Sequence, residues 1–156
     1  MNSKIPFPTL SLPPIHVKIQ YVEGQYRIYD EIRKGFYVLT PEEWVRQHFV
    51  HLLIHHYNYH KGLIRLEGGL TYHTLAKRSD ILVYDRQGNP FLLVECKSTE
   101  IRLNAQVLQQ AATYNQVIQA PFICLTNGLK TLCFEHNSNG DFKQLNAIPS
   151  FPSTPS

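Results

Sequence analysis

The sequence has little charge and no long apolar run, and each of these features excludes a class of protein. Charged residues make up 17% of the 156 residues, and the formal net charge is only +3, which is too small for a histone-like or polybasic binder. No apolar run approaches the roughly 18 residues that a membrane-spanning helix needs. Hydrophobic residues still make up 43% of the chain. The composition is therefore that of a globular protein with a real core, not of a disordered chain.

Cysteine is also scarce, and its pattern indicates a reducing compartment. The three cysteines form an odd set without CxxC spacing, and each lies in an apolar run: Cys96, Cys124 and Cys133. This pattern predicts reduced, buried thiols in a cytoplasmic protein. Four prolines interrupt the first 14 residues, which contain no apolar core of a secretory signal, so we expect no such signal.

The chain length and the placement of proline predict one domain between two tails. Residues 1–14 are proline-rich and are predicted to be extended, and residues 149–156 are predicted to be loose because prolines prevent a helix or a central strand there. Residues 15–148 then form a single domain. No repeat or long charge block divides this range.

Hydrophobic periodicity within the domain predicts a mixed α/β (α+β) fold. The segment 17–39 is rich in Tyr, Ile and Val and predicts short antiparallel strands. Thr40 as N-cap and Pro41 at the first helical position predict a helix that runs to about His56. The following pattern predicts, in order, a strand at 63–66, a hairpin with strands 81–84 and 91–94, a helix at 104–119, and strands at 122–126 and 129–135.

Three polar residues at the ends of the hairpin strands form the candidate catalytic set. Asp80 stands at the entrance to the first strand, and Glu95 and Lys97 close the second. Residues two apart on a strand share a face, so Glu95 and Lys97 point the same way and Cys96 points away. Antiparallel pairing can bring Asp80 beside them. Carboxylate oxygens, with the backbone carbonyl of Cys96, suit Mg²⁺ or Mn²⁺, and Lys97 can stabilise negative charge that develops in a reaction.

These residues resemble the PD-(D/E)xK nuclease superfamily, with Ser79-Asp80, fourteen intervening residues and Glu95-Cys96-Lys97. Further blocks are similar to the N-terminal domain of type I restriction enzyme R subunits, especially the branch in which this domain is a small stand-alone protein. The similarity covers roughly residues 25–150. The blocks that carry it are YDEIRKGFYVLTPEEWVRQHF, KRSDILVYD, PFLLVECKS, QAATYN and FICLTNG.

The resemblance implies a restriction-endonuclease-like fold, with a mixed central sheet flanked by helices, and an Mg²⁺-dependent DNA endonuclease activity. It implies that Asp80 and Glu95 hold the metal and that Lys97 assists the chemistry. The Gln-x-x-x-Tyr motif of R subunits falls on Gln110 and Tyr114, one helical turn apart, where they would steady the site or contact the DNA backbone.

Two features of the family pattern are altered in this sequence. Many relatives carry a first-helix glutamate at the metal site, but alignment through Val45 puts Arg46 or Gln47 at that position, so the acid is either absent or supplied by Glu43. No helicase-like motor and no P-loop pattern is present, so a partner protein would have to supply DNA targeting, or the binding is non-specific. A homodimer would suit the cutting of both strands of a duplex.

Plainer interpretations of the same residues stay open. The Asp80, Glu95 and Lys97 set can be an ordinary salt bridge, or the domain can be a catalytically inactive nucleic-acid-binding or assembly module with a nuclease fold. Glu43 can be a capping-box partner of Thr40. Basic residues near the motifs can bind phosphate or form a solvated rim: Lys77, Arg78, Arg102 and Lys130. The pair His51-x-x-x-His55 lacks the glutamate of a zinc peptidase and indicates a helix boundary face.

Overall fold

The protein is described by a computed structural model that covers residues 5–66, 81–137 and 139–152. An N-terminal antiparallel sheet contains strands β1 (Ile19–Val22), β2 (Gln25–Asp30) and β3 (Gly35–Val38). The described residues also form two α-helices, α1 (Pro41–His55) and α2 (Ala105–Ile118). A second sheet has six strands in sequence order: β4 (Ile64–Leu66), β5 (Ile81–Tyr84), β6 (Pro90–Cys96), β7 (Phe122–Thr126), β8 (Thr131–His136) and β9 (Phe142–Leu145).

The six-stranded sheet is mixed, because β6 and β7 are parallel while the other neighbouring strands are antiparallel. Helix α2 forms the crossover between the two parallel strands. Their register pairs Glu95 with Leu125 and Cys96 with Thr126. Both strands therefore end at the same edge of the sheet, and the segments that follow them lie side by side there.

Helix α1 covers one face of this sheet. The Thr40 hydroxyl accepts a hydrogen bond from the Glu43 backbone N–H at 3.0 Å, and Pro41 occupies the first turn, so the predicted start is confirmed. The apolar stripe of the helix, which includes Val45 and Phe49, packs in one buried cluster with side chains of β6: Leu92, Val94 and Cys96. The helix ends one residue before the predicted position.

Helix α2 covers the opposite face. Asn104 is its N-cap and accepts a hydrogen bond from the Val107 N–H at 3.1 Å. Val107 and Ala111 pack with Leu93 of β6 and with alternate residues of β7, in a cluster separate from that of α1. Because successive side chains of a strand point to opposite faces, the two clusters place the sheet between the two helices. The predicted mixed fold is confirmed.

Two features of the C-terminal part differ from the sequence prediction. Strand β9, which pairs with β8, was not predicted, because Phe-Lys-Gln-Leu has too short an alternation to mark a strand on its own. The described part of the predicted tail, residues 149–152, is held by contacts: the Tyr59 hydroxyl donates to the Pro149 carbonyl, and the Phe151 ring packs edge-on against Tyr59. Partners distant in the chain therefore hold this segment.

The N-terminal segment also contacts the domain. The Trp44 indole N–H donates to the Pro8 carbonyl at 2.8 Å, and the Leu10 side chain is buried in the α1 cluster. No helix within the described residues is long and apolar enough to cross a membrane.

Candidate active site

Glu95 and Lys97 lie at the carboxyl end of β6. The Lys97 Nζ is 3.3 Å from Glu95 Oε2, and the two side chains are 23% and 5% exposed. Leu93, two residues before Glu95, packs in the α2 cluster, so strand alternation puts Glu95 and Lys97 on the α2 face of the sheet. The result is a nearly buried carboxylate paired with an ammonium group that still reaches the surface.

Cys96 faces the other side of the sheet. Its side chain is 2% exposed and packs in the α1 cluster with Val94 and Val45. The predicted orientation, away from Glu95 and Lys97, is confirmed. The thiol is therefore part of the core, and only backbone atoms of Cys96 can take part in a site that contains Glu95.

Asp80, Arg78 and Lys77 lie outside the described residues. The first residue of β5, Ile81, pairs with Val94 of β6 in the antiparallel register. The beginning of β5 therefore lies opposite the residue that precedes Glu95.

The oxygen donors expected for a metal are only partly within the described residues. The Glu95 carboxylate and the Cys96 carbonyl belong to the same strand end, and both are donors that a hard cation such as Mg²⁺ accepts. No group of three or more His, Cys, Asp or Glu side chains in the ranges 5–66, 81–137 and 139–152 is arranged to hold a metal ion. The proposed set needs Asp80 as its second carboxylate.

Gln110 and Tyr114 lie on α2, the helix that covers the face of Glu95 and Lys97. Tyr114 is half-buried and packs against the cluster that contains Leu93. Gln110, one turn earlier, is exposed. The helix thus presents this pair on the same side of the sheet as the Glu95–Lys97 ion pair.

Glu43 has a different environment, a buried ion-pair network at the start of α1. Its carboxylate accepts hydrogen bonds from Arg33 Nη2 at 3.2 Å, Gln47 Nε2 at 2.8 Å and Arg46 Nε at 3.2 Å, and a second Arg46 nitrogen also contacts it. Glu43 and Arg46 are 7% and 8% exposed. Among these contacts the carboxylate faces two guanidinium groups and an amide, all of which are donors.

Asp30 at the end of β2 completes this network and joins the N-terminal sheet to α1. Its Oδ2 accepts hydrogen bonds from Arg33 Nε at 2.7 Å and from Gln47 Nε2 at 2.9 Å. Burial raises the pKa of Asp30, but the hydrogen bonds and the charge of Arg33 outweigh burial and hold the pKa below its usual value. Arg46 and Gln47 are thus structural partners in this network: both contact Glu43, and Gln47 also contacts Asp30.

Asn127 is a residue of this edge whose role sequence reasoning missed. The dipeptide Asn127-Gly128 predicts a turn, and the turn is present between β7 and β8. The Asn127 side chain is also 8% exposed and donates to the Ile101 carbonyl at 2.8 Å, 26 residues away in the chain. Only the turn has a local signal in the sequence, because the second contact depends on the parallel pairing of β6 and β7.

The chain was found to be similar to a known protein family. The family model of the type I restriction enzyme R protein N terminus matches residues 41–149. No curated protein and no solved structure matches the chain. The matched range includes both helices, the six-stranded sheet and the Glu95–Lys97 pair, whereas the N-terminal three-stranded sheet lies before it.

Proposed function

The chain belongs to the family of type I restriction enzyme R protein N-terminal domains, and from that premise we propose that it is an Mg²⁺-dependent deoxyribonuclease. The family supports a nuclease-like function in general. The observation that carries the more specific proposal is the ion pair between Lys97 Nζ and Glu95 Oε2, 3.3 Å apart at the end of a buried strand. This pair supports the ExK part of the D…ExK pattern, and Asp80 would supply the remaining residue.

The proposed roles follow from the chemistry of each group. Asp80, Glu95 and the Cys96 carbonyl would hold a divalent cation, which would supply Lewis-acid activation of water and of a phosphodiester oxygen. Lys97 keeps a positive charge beside the reacting phosphate and stabilises the negative charge that develops there. Because the Glu95 side chain is only 5% exposed, its charge is little screened by water.

Auxiliary roles belong to residues near the same face and hairpin. Gln110 is exposed on α2, and its side-chain amide can donate a hydrogen bond to a DNA phosphate. The half-buried Tyr114, one turn later, packs against the core and holds this face of α2 against the sheet. Arg78 would add a phosphate contact close to Asp80. The substrate of this site is DNA, and a partner protein or a second copy of the chain would supply targeting.

Plasmid nicking tests the proposal. Supercoiled plasmid is incubated in Mg²⁺ or Mn²⁺ with the wild type, with Lys97→Ala and with Asp80→Ala; Lys143→Ala, at an exposed position of β9, is the matched control. We expect the first two variants to lose roughly a hundred-fold or more of the activity, because each removes a group that acts on the transition state. Equal activity in all four proteins would identify a contaminant and overturn the proposal.

A second candidate function is a catalytically inactive nucleic-acid-binding or assembly module. The observation that favours it is the position of Glu43, whose carboxylate is engaged by Arg33, Arg46 and Gln47. A nuclease that needs a first-helix acid would lack it here. Retained DNA binding in a gel-shift assay, with no nicking by the wild type in either metal, would support this candidate.

A further inference from the structure

The segment 98–104 connects the two elements of the candidate site, because it leaves β6 after Lys97 and enters α2 at Asn104. Its beginning is fixed by a backbone hydrogen bond from the Lys97 N–H to the Thr126 carbonyl at 2.8 Å. Its middle is fixed by the Asn127 side chain, whose Nδ2 donates to the Ile101 carbonyl at 2.8 Å. Thr126, the last residue of β7, and Asn127, the next residue, thus fasten the segment that follows β6.

The Asn127 side chain uses both ends of its amide. While Nδ2 holds Ile101, Oδ1 accepts hydrogen bonds from the backbone N–H groups of Leu129 at 2.9 Å and Lys130 at 2.8 Å. These contacts require a donor and an acceptor on two separate atoms of one short side chain, which asparagine supplies and aspartate, serine or leucine do not. Closing the turn alone requires only the acceptor.

The turn that carries Asn127 is itself anchored in the core. Thr126 is fully buried and its hydroxyl accepts the Gly128 N–H at 3.1 Å. Gly128 has φ +86°, its carbonyl accepts the Ser11 N–H at 2.8 Å, and a Cβ at this position would lie 2.8 Å from a Leu10 methyl group. The residues on both sides of Asn127 are therefore held by the core, which fixes the backbone from which its side chain extends.

We propose that Asn127 is a positioning residue of the proposed nuclease site, and this inference rests on the proposed function. Its side-chain amide fixes the segment 98–104, so that Lys97 at one end stays beside Glu95 and α2 at the other end keeps Gln110 on the same face. This role requires no contact of Asn127 with the metal or with the DNA. Its effect reaches the reaction through the position of the Lys97 ammonium group.

The test is Asn127→Asp, with Asn137→Asp as its matched control. Aspartate keeps the Oδ1 acceptor of the turn but replaces the donor to Ile101 with an oxygen, which leaves a carbonyl facing a carboxylate. Asn137 caps the turn between β8 and β9 through its Oδ1, which accepts the Asn139 and Asp141 N–H groups at 3.0 Å and 3.1 Å. Asn137→Asp therefore makes the same charge change in a turn that does not hold the segment.

Two readouts separate positioning from general stability. We expect Asn127→Asp to speed amide hydrogen exchange in 98–104 by about ten-fold or more, because the Ile101 carbonyl loses its side-chain partner and the segment opens locally. We expect kcat for plasmid nicking to fall about ten-fold at little changed KM. Asn127→Ser, a neutral variant that cannot reach Ile101, should behave in the same way, and this excludes repulsion between the new charge and DNA as the cause.

The outcomes that overturn the inference are distinct from those that overturn the proposed function. Unchanged exchange in 98–104, or faster exchange with unchanged kcat in an active enzyme, refutes positioning by Asn127. A wild type that nicks no DNA refutes the proposed function and the catalytic part of this inference. The exchange measurement then still reports whether Asn127 holds the segment.

Discussion

Glu95 lies on β6 and Lys97 directly follows the strand, two residues later, with Lys97 Nζ 3.3 Å from Glu95 Oε2. The pair forms where the only parallel strands of the described sheet, β6 and β7, end together. A carboxylate that is 5% exposed would be costly to keep ionised without a partner, and Lys97 supplies one. The pair therefore puts a carboxylate, which can bind a cation, and an ammonium group, which can bind a phosphate, side by side at this end of the sheet.

Removal of the Glu95 charge should weaken metal binding. We expect Glu95→Gln to lower the affinity for Mn²⁺ by about ten-fold or more, because an amide oxygen is a poorer ligand for a hard cation than a carboxylate. Calorimetric titration with Mn²⁺ measures this change. The control is Glu135→Gln, at an exposed position of β8. Equal Mn²⁺ affinity in the wild type and Glu95→Gln would contradict the assignment of Glu95 as a ligand.

The ion-pair network of α1 predicts a stability difference between two adjacent glutamates. Glu43→Ala removes a carboxylate that is 7% exposed and leaves Arg46 and Arg33 without it, so the free energy of unfolding should fall by about 3–5 kcal/mol. Glu42→Ala removes the same charge from the same helix turn at an exposed position and should cost about 1 kcal/mol or less.

Urea denaturation followed by circular dichroism compares these two glutamate variants. Equal midpoints for Glu43→Ala and Glu42→Ala would show that the network adds little to stability. That result would support the other interpretation of Glu43, in which it supplies the first-helix acid of the metal site.

Two buried histidines of α1 predict a loss of stability in mild acid. Burial lowers the pKa of His48 and of His51, although a hydrogen bond between His48 Nδ1 and the Trp44 carbonyl opposes the shift in His48. Because the pKa values are lower in the folded than in the unfolded state, the unfolded chain binds more protons. The stability contribution is therefore present above about pH 6.5, the unfolded value, and is lost as the pH falls through the folded values.

The measurement is the free energy of unfolding between pH 7.5 and pH 5. The slope from each imidazole can approach about 1.4 kcal/mol per pH unit between its two pKa values. We expect the double variant His48→Gln, His51→Gln to flatten the profile, and His56→Gln, at an exposed position, to leave it unchanged. An identical slope in the wild type and the double variant would refute the assignment to these histidines.

The basic residues at the edge of the sheet predict a salt-dependent contribution to DNA affinity. Arg102 and Lys130 are exposed. The Asn127 side chain joins their two segments, because it donates to the carbonyl of Ile101, next to Arg102, and accepts from the Lys130 N–H. If each contacts one phosphate, Arg102→Ala and Lys130→Ala should each reduce the slope of log K against log salt by about 0.9. Fluorescence anisotropy with a labelled duplex at several salt concentrations measures the slope. Lys143→Ala is the control, and slopes equal to that of the wild type would identify a solvated rim.

The elements next to the site could be predicted from local signals. Thr40 and Asn104 mark helix starts because their side chains satisfy N–H groups that a helix leaves open. The shared face of Glu95 and Lys97 follows from the period of two along any strand. Strand β9 could not be predicted, because its four residues become a strand only through pairing with β8.

The sequence alone determined the hairpin, the two helices and the orientation of Cys96 away from Glu95, since each depends on residues within a few positions of one another. Only the tertiary structure decided the partners of Glu43 and Asn127. Glu43 pairs with Arg33, ten residues away, and Asn127 holds Ile101, 26 residues away. Such contacts form only after folding has brought distant segments together. In a buried position, a polar group with a hydrogen-bond partner then has a much lower free energy than one without a partner.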